Sequence, residues 1–162
     1  MRRQKCPASR NSGYAFERST RQVHSVRQLE SLDAWRRSLE LAQDAYRLTL
    51  HPHLRRHFAL IDQIRRAAIS IPANVAEGYA LSTTPQFIRA TRISLGSAAE
   101  LYTHLSVLEG LALIDQSETH EVIALTKQTL ALLVGLLKAL SRRSASPFPF
   151  PDSRFPTRAS PQ

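Results

Sequence analysis

The sequence predicts an all-α protein, an antiparallel up-and-down four-helix bundle with disordered N- and C-terminal tails. Apolar residues recur at steps of three and four through the middle of the chain, turn and capping residues divide this region into four segments, and both ends lack the period. A chain of 162 residues with 43% hydrophobic content suffices for one domain with a core. We therefore expect a basic disordered tail over residues 1–28, the bundle over residues 29–143, and a Pro/Phe-rich disordered tail over residues 144–162.

The first helix is predicted over about residues 31–50. Its inward stripe is expected to hold Leu32, Trp35, Leu39, Ala42 and Tyr46. Pro52 follows soon afterwards, and the residue before a proline is pushed out of helical geometry. The pattern therefore predicts that the helix stops before His51 and Pro52.

The second helix is expected to begin between Leu54 and His57. Its predicted inward residues are Leu60, Ile64, Ala67, Ile71, Val75 and Tyr79. Pro72 lies within this stripe, so either the helix kinks or it ends at Ile71 and a new helix begins with the proline in its first turn. Because the apolar stripe keeps its register, we favour one kinked helix that ends near Gly78 to Ala80, with Gly78 as a left-handed cap.

The third and fourth helices have clear start signals. Thr83, Thr84 and Pro85 precede a near seven-residue repeat, which is typical of a left-handed bundle. Asp115 and Glu118 resemble a capping box before a fourth helix over about residues 116–140. The second half of that helix is apolar on nearly every face, which predicts a subunit interface. The candidate interface residues are Leu132, Leu133, Leu136 and Leu137.

A family resemblance is carried by the run from Asp62 to Gly78, DQIRRAAISIPANVAEG, and by the later run from Gly96 to Leu101, GSAAEL. These residues resemble the bacterial four-helix-bundle proteins called 23S ribosomal RNA intervening-sequence proteins, or the S23 family, over about residues 32–140. The resemblance implies a homopentameric ring of bundles. It also implies a poorly defined role. A related bundle is the accessory protein of a retroelement reverse transcriptase and binds RNA and that enzyme. The basic and Pro/Phe-rich tails lie outside the resemblance.

Arginine pairs are the candidate nucleic-acid-binding residues of the predicted bundle. Arg65 and Arg66 follow Arg55 and Arg56 by ten residues, close to three helical turns, so one member of each pair could share a helix face. Guanidinium groups match phosphate oxygens. The alternative is a solvated face with Asp62 and Glu77 as ion-pair partners.

The N-terminal tail is the second basic candidate. Residues 1–28 hold seven Lys and Arg against one Glu, which gives 7 − 1 = +6 of the formal net charge of +9. Its candidate nucleic-acid contacts are Arg2, Arg3, Lys5 and Arg10. Composition alone also allows an organelle transit peptide in this region.

No residues assemble into a recognisable catalytic or metal site in the sequence. Pro72, Asn74, Glu77 and Gly78 are interpreted as a structural motif at the kink and helix end. His51, His53 and His57 form a cluster without nearby acidic or cysteine ligands, so we expect no metal and no cofactor.

The composition favours a cytoplasmic protein. Cys6 is the single cysteine, and we expect no apolar run long enough to cross a membrane. The first hypothesis is a non-enzymatic homo-oligomer, expected to be a pentamer, that binds RNA or a nucleic-acid-processing protein through basic residues. The alternative is a protein-protein assembly scaffold that does not bind nucleic acid.

Overall fold

A computed structural model describes residues 29–145 with the exception of Ser82. The helices are α1 (Asp33–Leu48), α2 (Phe58–Ala80), α3 (Thr84–Leu111) and α4 (Gln116–Ala145), and a 3₁₀ helix (Pro52–Leu54) lies between α1 and α2. Within the described range, the regular elements are all helical. The predicted all-α fold is therefore confirmed, while residues 1–28 and 146–162 lie outside the described part.

The helices pack as a ring of sequence neighbours. α1 contacts α2, α2 contacts α3, α3 contacts α4, and α4 returns to contact α1. Short connections make successive helices antiparallel, as in an up-and-down bundle. The α1–α2 and α3–α4 connections therefore lie at one end of the bundle, and residue 29 and the end of α4 lie at the other.

The core consists of aliphatic side chains from all four helices. Its largest fully buried side chains include Leu41, Ile64, Ile71, Leu101, Leu105, Leu108 and Leu133. Burial of each such side chain contributes about 1.5–3 kcal/mol relative to exposure in water. The middle of the predicted α2 stripe is confirmed, since Ile64, Ala67, Ile71 and Val75 are buried. The predicted seven-residue repeat of α3 is confirmed by the burial of Thr91, Ala98 and Leu105.

The inward face of α1 differs from the predicted one. Leu41 and Ala45 are fully buried, whereas Leu39 and Tyr46 are 37% and 41% exposed. Ala42 is buried as predicted, so the inward face is rotated about the helix axis from the predicted stripe and shares part of it. Tyr46 instead flanks the contact with α2, where Arg65 lies over its ring.

α2 continues through Pro72 as one helix, as the register of its apolar stripe predicts. The prediction that Gly78 is a left-handed cap is wrong, since Gly78 lies buried inside α2 and no glycine in the described residues has a positive φ. A Cβ placed on Gly78 would lie 2.5 Å from the Ala90 Cβ atom and 2.9 Å from the Phe87 ring. The glycine is therefore required by the close approach of α3.

The left-handed residue of the bundle is Ala112, with φ of 48°, where α3 ends. Asp115 follows, and its carboxylate accepts hydrogen bonds of 2.8 Å from both the backbone N–H and the hydroxyl of Ser117. These two bonds lower the pKa of the Asp115 carboxyl below its ordinary value. Asp115 thus caps α4 as predicted. α4 extends to Ala145, beyond the predicted end at residue 140 and across the predicted boundary at residue 143.

Candidate nucleic-acid interface

The connection between α1 and α2 is a compact turn anchored by buried residues. Thr49 is buried, and its hydroxyl donates to the backbone carbonyl of Tyr46 at 2.6 Å. Pro52 begins the 3₁₀ helix, and the side chain of Leu54 is 1% exposed beneath it. The His57 N–H donates to the Leu54 carbonyl at 2.8 Å and closes the turn before α2 begins. These contacts hold the intervening polar residues at the surface.

We call the exposed part of this connection the turn surface and define it as Leu50, His53, Arg55, Arg56 and Phe58. Leu50 is 60% exposed and Phe58 is 75% exposed. Each is a large apolar side chain left mainly in water, and the exposed Arg55 and Arg56 lie between them in the sequence. The combination of exposed aromatic and cationic side chains makes the turn surface a candidate binding site.

The turn surface has no acidic residue within its own stretch of chain. Between Asp44 and Asp62 the sequence contains Arg47, Arg55 and Arg56 but no aspartate or glutamate. Arg47 is paired with Asp44 at 2.6 Å. α2 starts beside Arg55 and Arg56 without an acidic residue in its first turn, so its positive N-terminal end adds to their charge.

The prediction that the two arginine pairs share a helix face rests on a wrong helix start. α2 begins at Phe58, so Arg55 and Arg56 precede it and lie in the turn. Pro52 and the buried Leu54 explain this, because they favour a 3₁₀ turn where a continuous α-helix had been assumed. Arg65 and Arg66 are the residues that α2 itself carries.

Arg65 braces α2 against the end of α1. Its Nε–H donates to the Thr49 hydroxyl oxygen at 2.8 Å, and its guanidinium carbon lies 4.4 Å from the centre of the Tyr46 ring. Both contacts fix the side chain, which is half-buried. Arg65 therefore has a structural role that the sequence did not indicate.

Arg66 is exposed and lines a groove on the outer side of α2. The groove has a volume of about 560 Å³ and is lined by Tyr46, Asp62, Arg65, Arg66, Ala67, Ile69, Ser70, Ser97 and Glu100. Two carboxylates, Asp62 and Glu100, line this groove together with the two arginines, so its net charge is small. The groove is accordingly a weaker phosphate site than the turn surface.

Polar contacts surround the predicted structural motif at Pro72, within α2 and between α2 and α3. Asn74 donates from Nδ2 to the Ser70 carbonyl at 2.7 Å and lies 2.9 Å from the Ser70 hydroxyl, which in turn is hydrogen-bonded to the Ser97 hydroxyl at 2.9 Å. The buried Ser94 hydroxyl donates to the Ile71 carbonyl at 2.9 Å. Glu77 is exposed on the outer side of α2. The serine contacts join α2 to α3 next to the proline, and the Asn74 contacts lie within α2.

Histidines of the turn lie against each other. The His51 and His53 rings are stacked with centroids 5.1 Å apart, and His51 Nδ1 accepts from the His53 N–H at 3.4 Å. Among residues 29–145, omitting Ser82, no group of three or more His, Cys, Asp or Glu side chains could hold a metal ion. The imidazoles instead extend the aromatic area beside the turn surface.

The four candidate interface leucines occupy different depths. Leu133 is 0% exposed and belongs to the core of its own chain, Leu132 and Leu136 are half-buried against that core, and Leu137 is half-buried. By length and composition alone, the segment of α4 from Gln116 to Arg143 could cross a membrane, but a core helix of a soluble protein meets the same criteria. The prediction that no apolar run is long enough to cross a membrane does not hold for α4. Its threonines and glycine lower the mean hydropathy of the helix only slightly.

The structure does not test the predicted nucleic-acid contacts of the N-terminal tail. Arg2, Arg3, Lys5 and Arg10 lie outside the described residues, so their predicted contacts stay predictions.

Phe58 was not predicted as a site residue, because it belongs neither to the predicted apolar stripe of α2 nor to the basic residues. The absence of acidic residues around it was the available signal.

Comparison with known proteins identifies the family. The family model for the 23S rRNA-intervening sequence protein matches residues 30–135. No curated protein matches the sequence. Among solved structures, a protein of unknown function from the S23 ribosomal protein family of Bacteroides thetaiotaomicron has a similar fold, with a TM-score of 0.60 and 24% identity, covering 65% of this chain and 98% of that chain. The chain belongs to the 23S rRNA-intervening sequence protein family.

Proposed function

We propose that this protein is a non-enzymatic, cytoplasmic, oligomeric bundle that binds RNA, or a ribonucleoprotein partner, through exposed arginines. The observation that carries the proposal is the turn surface, where Arg55 and Arg56 are exposed within a stretch free of acidic residues. Guanidinium groups are suited to phosphate because their planar donors match its oxygens. Arg66 is a secondary contact, since Asp62 and Glu100 lie in the same groove.

The turn surface contributes only two exposed arginines, Arg55 and Arg56, so binding by one chain is expected to be weak. Each phosphate contact contributes modestly and is opposed by salt. An oligomer raises the effective concentration of the remaining sites after one has bound. Self-association, with the pentamer as the expected state, is therefore part of the proposal, and the half-buried Leu132, Leu136 and Leu137 support it.

Light scattering of the full chain tests the oligomer separately. One chain has a mass of 18.2 kDa, so a pentamer is expected at 5 × 18.2 = 91 kDa. A stable mass of 18.2 kDa across the concentration range would contradict self-association.

Filter binding of a structured RNA across a salt series tests the binding. We expect affinity at low salt that falls steeply as salt rises, because phosphate contacts release counterions. Arg55→Gln combined with Arg56→Gln is expected to weaken binding. Absence of binding at low salt, or affinity insensitive to salt, would contradict the proposal.

The matched control is Arg36→Gln with Arg37→Gln. These are also adjacent arginines on the surface, but they are paired with Asp33 and Glu40 on α1. The control pair removes the same formal charge at a different place. Equal loss of affinity in both double variants would show that only total charge matters, and it would contradict a role for the turn.

The second candidate function is a protein-protein assembly scaffold. The observation that favours it is on α4, where Leu132, Leu136 and Leu137 are only half-buried within the chain. Apolar helix surface of this kind is suited to contact with another protein. Pull-downs that survive nuclease treatment and fail after deletion of residues 144–162 would support the scaffold over RNA binding.

A further inference from the structure

Phe58 is the most exposed large hydrophobic residue in the described part of the chain. It is the first residue of α2 and its side chain is 75% exposed, so it contributes little to the hydrophobic core. Burial of a phenylalanine stabilises a protein by roughly 1.5–3 kcal/mol, most of which is forgone at this position. Its exposed ring face is available to a ligand.

The surroundings of Phe58 determine which ligand fits. Arg56 is two residues away and Arg55 is three residues away, both exposed, and no acidic residue lies in the turn. Consecutive Cα atoms are 3.8 Å apart, so the Arg56 and Phe58 Cα atoms are at most about 7.6 Å apart. An aromatic face beside two cations matches a flat, uncharged group that is attached to anions.

A single-stranded nucleic acid has this chemistry. Every unpaired base has a face that can stack on an aromatic side chain, and phosphates flank it on both sides. In a duplex the base faces are covered by their neighbours, and the A-form major groove is too narrow to read. A stacking residue therefore favours unpaired nucleotides, whereas arginines alone favour neither form.

We infer that the turn surface binds unpaired nucleotides of RNA, with one base stacked on the Phe58 ring and the flanking phosphates contacted by Arg55 and Arg56. This inference rests on the proposed RNA binding and adds the form of RNA and the residue that selects it. The exposed His53, stacked on His51, extends the same surface toward the neighbouring nucleotide. Leu50 supplies apolar area on the α1 side of the turn.

The test measures fluorescence anisotropy of a labelled 12-nucleotide oligouridine and of a 12-base-pair RNA duplex with the full chain. Phe58→Ala is expected to weaken binding of the single strand at least about fivefold, because base-aromatic stacking contributes at least that much. Duplex affinity is expected to change less than about twofold. Phe58→Tyr should restore single-strand affinity, while Phe58→Leu should not.

Ile93→Ala is the matched control. Ile93 is another exposed large apolar residue, on α3 and away from the turn end of the bundle. Its removal should leave both affinities unchanged. Because Phe58 is outside the core, circular dichroism of the Phe58 variants should show folded protein with an unchanged melting temperature.

Tryptophan fluorescence gives a direct signature of stacking. Trp35 is the single tryptophan, so Phe58→Trp in a Trp35→Phe background places the only tryptophan at the turn. Oligouridine should quench its emission, and the duplex should quench it much less. A tryptophan that is not quenched by bound single strand would overturn stacking at this position.

The outcomes separate this inference from the proposed function. RNA binding that requires Arg55 and Arg56 but is unchanged in Phe58→Ala would overturn the inference alone. Equal losses on single strand and duplex would also overturn it. Absence of all RNA binding would overturn both, as would Phe58-dependent binding to phosphatidylserine vesicles without RNA binding. A changed oligomer mass in Phe58→Ala with unchanged RNA affinity would assign the residue to subunit contact and overturn its base-stacking role.

Discussion

Arg65 and Arg66 are adjacent in the sequence, but they have different environments in the structure. Successive helical residues point about 100° apart, so Arg65 faces α1 and Arg66 faces solvent. Arg65 reaches Thr49 and Tyr46, and neither partner could be paired with it from helical periodicity alone. The sequence therefore predicted which residues carry charge but not which of them are available to a ligand.

Removal of the Arg65 contact with Thr49 should destabilise the bundle. We expect Arg65→Ala to lower the free energy of unfolding by about 1–2 kcal/mol, because it removes a hydrogen bond and a cation-π contact. Urea unfolding of Arg65→Ala, Thr49→Val and the double variant would measure a coupling of roughly 1 kcal/mol. Arg66→Ala is the control, with an expected change within about 0.5 kcal/mol. If the two substitutions changed the free energy of unfolding additively, the stabilising contact between Arg65 and Thr49 would be contradicted.

Asp115 makes a pH-dependent contribution to stability. Ser117 donors favour its ionised form and lower its pKa in the folded state, so the stabilisation is present above the pKa of the unfolded state. It is lost as pH falls through the lower pKa of the folded state. We expect Asp115→Ala to lower the urea midpoint clearly at pH 7 and less at about pH 3, which lies below the ordinary aspartate pKa of about 3.9, so that part of the stabilisation is already lost there.

Ser117→Ala is the companion variant for Asp115. It keeps the carboxyl and removes the hydroxyl donor, so the pH-dependent part of the stability should shrink while the backbone bond remains. A difference between wild type and Asp115→Ala that is the same at both pH values would contradict the proposed cap.

At the scale of the element, α2 shows how far a sequence pattern can predict structure. The continuous apolar register predicted one helix through Pro72, and the structure confirms it. The role of Gly78 could not be predicted, because a glycine near a helix end is typical of a left-handed cap and its alternative depends on a neighbouring helix. Phe87 and Ala90 on α3 leave no room for a Cβ atom at position 78, which is why a glycine lies there.

Gly78 and Gly96, two of the four glycines in the described helices, should respond oppositely to alanine. A Cβ on Gly78 would collide with Ala90 and Phe87, so Gly78→Ala is expected to lower the free energy of unfolding by about 1–3 kcal/mol. Nothing lies within 4 Å of a Cβ on Gly96. Gly96→Ala is therefore expected to raise stability by up to about 1 kcal/mol through helix propensity. Thermal unfolding of both variants checks this, and destabilisation by Gly96→Ala would contradict the packing described.

The inward face of α1 was harder to predict than those of α2 and α3. Apolar residues occur on two adjoining stripes of α1, one with Leu39 and Tyr46 and one with Leu41 and Ala45. Periodicity gives the angle between residues but does not say which of two apolar stripes faces the core. That choice depends on how closely α2 and α4 approach.

At the scale of the whole molecule, the antiparallel fold places the turn surface and residue 29 at opposite ends of the bundle. The turn surface lies at one end of the bundle, while residue 29, where the chain from the basic N-terminal residues joins α1, lies at the other. The sixteen residues of α1 span roughly 24 Å at 1.5 Å per residue. The sequence contains both sets of basic residues, but only the antiparallel order of the helices shows that the turn surface and residue 29 lie at opposite ends of the bundle.

The most direct test of the central claim is ultraviolet cross-linking of RNA to the full chain, followed by mass spectrometry of tryptic peptides. Trypsin cleaves after Arg47, Arg55, Arg56 and Arg65, so the turn is divided between peptides of residues 48–55 and 57–65. We expect single-stranded RNA to cross-link to these two peptides and the cross-link to residues 57–65 to be lost in Phe58→Ala. Cross-links confined to other parts of the bundle, such as α4, would contradict RNA binding at the α1–α2 turn.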